Sequence, residues 1–261
     1  MRRLSDGLCC AAVCAAAVIL VSCGGGTNQS AVPASSGGAA PAGTPIDSAT
    51  AANVTGKVTF EGTAPAPQPI KLSSDPYCES ANSGLTTETE MVGPGGVVQN
   101  VFVYVKDGLG TRTFAAPSVP VTIDQKGCHY TPHVIGIQVG QPLQIINSDN
   151  TLHNVHGLAK ANKEFNAGQP IQGMKMTHTF STKEVMVPFK CDVHGWMNAW
   201  VGVVDHPYYF VTGPDGTFSL KGLPPGTYTI EAWHEKLGAQ TQMVTVGATE
   251  AKDVAFTFKG A

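Results

Sequence analysis

The chain has 261 residues, 42% of them hydrophobic and 13% charged, with a formal net charge of −3 at pH 7. So mild an acidic balance implies neither nucleic acid nor an anionic lipid surface as a partner. Glycine and proline are frequent, at 30 and 18 residues, and apolar residues alternate in short runs between turn signals, which together predict an all-β protein.

The N-terminus opens with Met1-Arg2-Arg3, continues with an apolar run from Leu8 to Val21 and reaches Leu20-Val21-Ser22-Cys23. A charged start, a short apolar middle and a small residue before a cysteine predict a secretory signal over residues 1–22. The run is shorter than the roughly 20 apolar residues of a spanning helix. The Leu-x-Ser-Cys ending resembles the bacterial lipobox, which implies cleavage before Cys23, lipidation of Cys23 and loss of Cys9, Cys10 and Cys14 with the signal. By the same resemblance, Gly24 after the cysteine implies outer-membrane sorting. The mature protein is therefore expected to be an exported bacterial lipoprotein, lipid-anchored at the periplasmic face or the outer membrane. Residues 23–53 are rich in Gly, Ala, Ser, Thr and Pro with one charge, Asp47, and predict a flexible tether.

Short strand-like runs follow at Gly56-Lys-Val58-Thr-Phe60 and Val101-Phe-Val-Tyr-Val105. Cys78 and Cys128 are the two cysteines left once Cys23 is lipidated and Cys191 is set aside. In an exported chain they are expected to form a disulfide, stabilising by roughly 4 kcal/mol in the chain-entropy model.

Between 134 and 205 the runs Val134–Val139, Pro142–Asn147, Thr177–Phe180, Glu184–Lys190 and Asn198–Asp205 read as strands. Val185, Val187, Phe189 and Cys191 share one parity, so the cysteine is expected to continue an inward row. Cys191-Asp192-Val193-His194-Gly195-Trp196-Met197 then places a thiolate, an imidazole and a thioether at C-x2-H-x2-M spacing. Soft sulfur beside imidazole favours copper, and two histidines, one cysteine and a weak axial methionine make the electron-transfer copper set. A closed zinc site would want more Cys or His and would gain little from Met197. The second histidine is expected at His153, in Asn147-Ser-Asp-Asn-Thr-Leu-His153-Asn154-Val155-His156, with His156 as the rival ligand or else an exposed loop residue.

These segments resemble the blue-copper (cupredoxin) family over about residues 118–205, and the tight C-x2-H-x2-M loop is similar to amicyanin-type loops. The resemblance implies one type 1 copper ion on His153, Cys191, His194 and Met197, and a Greek-key β-sandwich. It also implies that Asn154 braces the ligand loops, and that the His194 edge lies at the surface in an apolar patch. Leu152 and Trp196 are expected to form that patch and to receive a redox partner protein. The run Met174, Met176, His178 offers a less favoured copper(I) loading site.

After Asp205 a second pattern begins: Gly213-Pro-Asp-Gly216, Thr217-Phe-Ser-Leu220, Leu223-Pro-Pro-Gly226, then Thr227–Trp233, Gln242–Val246 and Val254–Phe258. This resembles the carboxypeptidase regulatory-like, transthyretin-like β-sandwich. Its missing half is expected from the N-terminal side, giving residues 54–115 and 206–261 as one discontinuous domain with a cupredoxin domain, 116–205, inserted. The competing reading is a longer cupredoxin, 54–205, with a small appendage. His206 is expected far from the copper loop, and His234-Glu235 at a seam between domains, because H-E-x-x-H is broken by Gly238.

No His-x-His pair or His-Cys-His segment of a multicopper enzyme occurs, and no nucleophilic triad can be picked out. The sequence therefore predicts a non-enzymatic, membrane-tethered carrier of single electrons, with a copper carrier or non-redox binding module as the alternative.

Overall fold

A computed structural model describes residues 43–260; Cys23, the signal and most of the expected tether lie outside the described residues. Strand β1 (Ala52–Glu61) comes first, starting inside the stretch expected to be tether, and is followed by the short helix α1 (Pro76–Ala81) and β2 (Phe102–Asp107). Next come β3 (Val121–Gln125), β4 (Tyr130–Thr131), β5 (Val134–Gln138), β6 (Pro142–Asn147), β7 (His153–Gly157) and β8 (Phe165–Gln169). The middle of the chain closes with β9 (Lys175–Thr179), β10 (Glu184–Lys190) and β11 (Asn198–Val204). The last part holds β12 (Tyr209–Val211), β13 (Thr217–Leu223), β14 (Gly226–His234), β15 (Gly238–Val246) and β16 (Ala251–Lys259). The class is all-β, and among the described residues no helix is long and apolar enough to cross a membrane.

Two sheets take strands from both ends of the chain, in the orders β13-β1-β16 and β12-β2-β14-β15. Strand β1 alternates buried and exposed residues along its length, as a half-covered strand does. It pairs antiparallel with β13 and parallel with β16, from Asn53↔Ala251 to Glu61↔Lys259. Val54, Val58, Phe218, Leu220, Phe256 and Phe258 pack there against Val103, Val105, Ile230 and Val244. The middle of the chain forms a second pair of sheets, β5-β11-β10-β7-β8 and β4-β3-β6-β9. Ile123, Leu143, Ile145, Ile137, Val155, Phe180, Val187, Phe189 and Val201 fill the space between them.

Strand β2 joins the two cores. Its run Phe-Val-Tyr-Val is buried throughout, because Val103 and Val105 face the first core while Phe102 and Tyr104 face a seam with Val134, Met186, Val204, Trp200 and Tyr209. A continuous apolar run is what a strand covered on both faces requires. The seam is close: a Cβ at Gly202 would come within 2.5 Å of the Phe102 ring, so only glycine admits that ring onto β11.

The inward parity expected along β10 holds for Val187, Phe189 and Cys191 but fails at Val185. The ladder with β11 shifts register between Glu184 and Val187, and Val185 packs with Met186 into the seam. Strands β7 and β8, absent from the sequence reading, form a complete antiparallel pair from His153↔Gln169 to Gly157↔Phe165.

His206 and His234 are each 2% exposed. The Nε2–H of His206 donates to the Val105 carbonyl and its Nδ1 accepts from the Tyr208 N–H, while Nδ1 of His234 accepts from the Lys236 and Leu237 N–H groups. Burial pushes both imidazoles down to about 4. An unfolded histidine titrates near 6.5, so as pH falls the unfolded chain takes up protons that the folded chain refuses. This contribution to stability is complete above pH 6.5 and is lost toward pH 4, at an upper limit of about 3 kcal/mol per histidine. Urea unfolding is expected to show the loss between pH 7 and pH 4.5, and His206→Gln is expected to make it shallower; an equal slope in the variant would contradict the assignment.

Candidate metal centre

The site is built where β6 ends and β7 begins, and where β10 ends and β11 begins. Asn147, fully buried, organises the first of these loops: its amide donates to the Thr151 and Gln169 carbonyls, and its oxygen accepts from the Asp149 N–H. His153 is thereby delivered to the inside of β7. The second loop is closed by its own backbone, with Cys191 N–H donating to the Met197 carbonyl and Met197 N–H to the His194 carbonyl. His194 N–H donates to Cys191 Sγ at 3.3 Å.

Ligating atoms of His153, Cys191 and His194 lie within 4.8 Å of one another. The two Nδ1 atoms are 2.9 Å apart, and His194 Nδ1 is 3.9 Å from Cys191 Sγ. Met197, 1% exposed, belongs to the same buried cluster as Cys191. Asn154 bridges the two loops: its oxygen accepts from the Asp192 N–H at 2.5 Å, and its amide donates to Asn166 Oδ1 and Asp192 Oδ2. Tyr130 adds a second bridge, its hydroxyl reaching the Asn154 and Lys190 carbonyls.

Each imidazole carries a carboxylate on its far nitrogen. His153 Nε2 donates to Asp149 Oδ2 at 2.9 Å, and His194 Nε2 donates to Asp75 Oδ2 at 2.9 Å. With protons on both Nε2 atoms, the two Nδ1 lone pairs face each other and the sulfur, a geometry that calls for a cation between them. Burial alone would lower the pKa of His153, but the Asp149 carboxylate that its ring donates to and the nearby Cys191 sulfur outweigh it and raise the value. Burial likewise opposes ionisation of Cys191, yet the neighbouring His153 imidazole and the N–H groups of Asn154, His194 and Val193 hold the thiol below its ordinary range. Asp149, against burial, is lowered by His153 and by the N–H groups of Cys128 and Gly127.

The His194 edge is not at the surface. His194 is 2% exposed, because α1 and the residues around it cover the loop. Asp75 caps α1 by accepting from the Tyr77 and Cys78 N–H groups, and Cys78 is joined to Cys128 in a disulfide. Cys78, Leu72, Leu85 and Cys128 make a small core of their own against which Trp196 packs. Trp196 donates from Nε1 to the Cys128 carbonyl and lies beside the His194 ring, so it is a support of the cover and not an open docking face. Leu152 and Val193, 44% and 48% exposed, are the apolar residues left outward beside the ligands.

The reading of His156 changes, while Glu235 lies at the expected seam. His156 is not an exposed loop residue: it lies on β7 between Asp192 and Glu164, both within 2.9 Å, and points away from His153 by strand alternation. Met176, partly buried, packs against the core and His178 stacks on Phe165 at 3.9 Å, while Met174 stands on the connection before β9. At the seam Glu235 is claimed by His133, absent from the sequence reading, and by Trp200 Nε1. Asp75, Asp149, Tyr77 and Tyr130 were also missed; only Asp149, four residues before His153, stood where proximity signals a role.

Residues 197–259 match the family model of the carboxypeptidase regulatory-like domain. Similar solved structures include a copper-containing nitrite reductase from Thermus scotoductus SA-01, 20% identical with a TM-score of 0.32, covering 38% of this chain and 25% of that one. The chain thus spans a quarter of the length of that protein. They also include a purple cupredoxin from Nitrosopumilus maritimus, 22% identical with a TM-score of 0.28, covering 32% of this chain and 98% of that one. A Cu(I) amicyanin variant is 22% identical with a TM-score of 0.29, covering 39% and 97%. No curated protein matches the chain.

Proposed function

We propose that the chain is a blue-copper carrier of single electrons, with one copper ion held by His153, Cys191, His194 and Met197. The observation that carries the reading is the facing pair of Nδ1 atoms 2.9 Å apart, beside a cysteine sulfur and with both Nε2 atoms held by carboxylates. This donor set is soft, imidazole and thiolate with a thioether in reserve, and suits copper better than magnesium, calcium or manganese. When bound, copper would supply a one-electron couple at a centre with one thiolate and two imidazoles. The protein's part is to keep the donors in place: Asn154 and Tyr130 tie the two ligand loops, and the carboxylates fix each ring.

Four protein ligands leave no place for a substrate, which favours a carrier over an enzyme. All four are 2% exposed or less, which favours a resident ion over one passed along by a copper-delivery protein. A redox partner protein would approach over Leu152 and Val193, next in the chain to the two histidines. Export, lipidation at Cys23 and a tether to the periplasmic face or outer membrane complete the proposal, on the signal-like sequence of residues 1–23.

Copper(II) titration of the metal-free protein is expected to saturate at one ion per chain and to develop an intense visible thiolate charge-transfer band. Copper uptake without that band would sink the blue-copper reading. Membrane partitioning and intact mass of the native protein test the anchor, since an unmodified mature N-terminus would remove it.

A further inference from the structure

Asp75 stands 119 residues before His194 in the chain, on the connection between β1 and β2, and its two oxygens are divided between two tasks. Oδ1 accepts from Tyr77 N–H at 2.8 Å and Cys78 N–H at 3.3 Å, fixing the carboxylate to the start of α1. Oδ2 accepts from His194 Nε2 at 2.9 Å and from the Thr151 hydroxyl at 3.0 Å. Thr151 lies two residues before His153, so one carboxylate oxygen touches both ligand loops. Asp149 repeats the scheme for the other ring: its oxygens take the Gly127 and Cys128 N–H groups at 2.8 Å, the Tyr77 hydroxyl at 3.2 Å and His153 Nε2 at 2.9 Å. Each carboxylate therefore grips one half of the Cys78–Cys128 disulfide through backbone and one imidazole through its far nitrogen.

We propose that Asp75 is the positioning residue of His194, brought in by the disulfide-pinned cover to hold the ring with its proton on Nε2 and its Nδ1 lone pair turned toward Cys191 and His153. The geometry stands without a metal; its consequence for copper rests on the function proposed above. A carboxylate behind a ligand imidazole fixes its tautomer and makes it a stronger donor, and losing such a partner commonly weakens metal binding 10–100-fold. A stronger donor favours the more highly charged copper(II), so Asp75 is expected to lower the reduction potential. Covering the ring also removes the His194 edge as a route for electrons, leaving the Leu152 and Val193 side for exchange.

The test is Asp75→Asn, because asparagine caps a helix as well as aspartate does and leaves the Tyr77 and Cys78 contacts available while removing the charge from His194. In the metal-free variant the thermal midpoint is expected to stay near that of the parent, while the 15N resonances of the His194 ring move away from a pure Nε2–H tautomer. In the copper-loaded variant, copper(II) binding is expected to weaken 10–100-fold. The ratio of copper(II) to copper(I) affinity is expected to fall about tenfold, read as a potential about 59 mV higher. A folded Asp75→Asn protein with parental ring resonances and parental affinity ratio overturns the proposal. If Asp75→Asn does not fold, Asp75→Ser, which also caps but is too short to reach the ring, is read by the same two measures. Ring resonances that respond in a parent protein that takes up no copper would keep Asp75 as the positioning residue and overturn the copper reading instead.

Discussion

Cys191→Ser is expected to abolish the visible band of the copper-loaded protein completely. The band requires a sulfur-to-copper transition, and a serine oxygen is a harder, less polarisable donor that imidazole-bound copper does not need. The residue sits at 1% exposure between the N–H of His194 and the apolar core that begins at Phe189 and Val187. The new hydroxyl finds a donor in the His194 N–H, so the metal-free variant is expected to fold with a loss of about 1–2 kcal/mol. Equal copper spectra in parent and variant would remove Cys191 from the site. Met197→Leu is the informative companion: a buried thioether is replaced by an aliphatic chain of like volume, so the band is expected to persist while the potential rises. The metal-free parent supplies a third check, since a thiol this buried is expected to resist a maleimide reagent until the chain unfolds.

The sequence made the inner donors legible because three of them share one seven-residue loop. Spacing within a short loop survives whatever the rest of the chain does. His153 was legible from its position at a strand end, and the structure brings its ring to the other two ligands. What surrounds the donors was not legible. Asp75 begins a helix in an Asp-Pro context, a readable cap signal. Nothing local, however, tells that its second oxygen meets a histidine 119 positions on. The expectation of a surface-lying His194 edge failed for the same reason, since the cover comes from a connection that no periodic pattern marks. Strand β7 was overlooked because His-Asn-Val-His-Gly has no apolar alternation: its inward residues are a ligand, a core valine and a glycine. Val185 broke parity through a register shift that periodicity cannot foresee.

Removing the disulfide, as Cys78→Ser with Cys128→Ser, is expected to act on the cover far more than on the sheets. The two cysteines are 50 residues apart, and freeing a loop of that length costs about 4 kcal/mol in the chain-entropy model. The segment has little else to draw on: its own core amounts to Leu72, Leu85 and the cysteines themselves, with Ile70, Tyr77 and Trp196 against them. The sheets, by contrast, hold their own large clusters around Phe189, Leu143, Phe256 and Ile230. A unit with few apolar contacts opens below the free energy of global unfolding once its covalent tie is gone. Amide hydrogen exchange is therefore expected to accelerate most over residues 70–87, with the interior of β11 and β14 protected nearly as before. When the cover opens, Asp75 leaves His194 and Tyr77 leaves Asp149, so both rings lose a support in one event. Copper loss to a chelator is accordingly expected to quicken in the double variant and to follow the opening rate of residues 70–87. Unchanged exchange in that segment, or copper loss that tracks global unfolding instead, would show that the cover is held by its noncovalent contacts and that the disulfide does not govern access to the centre.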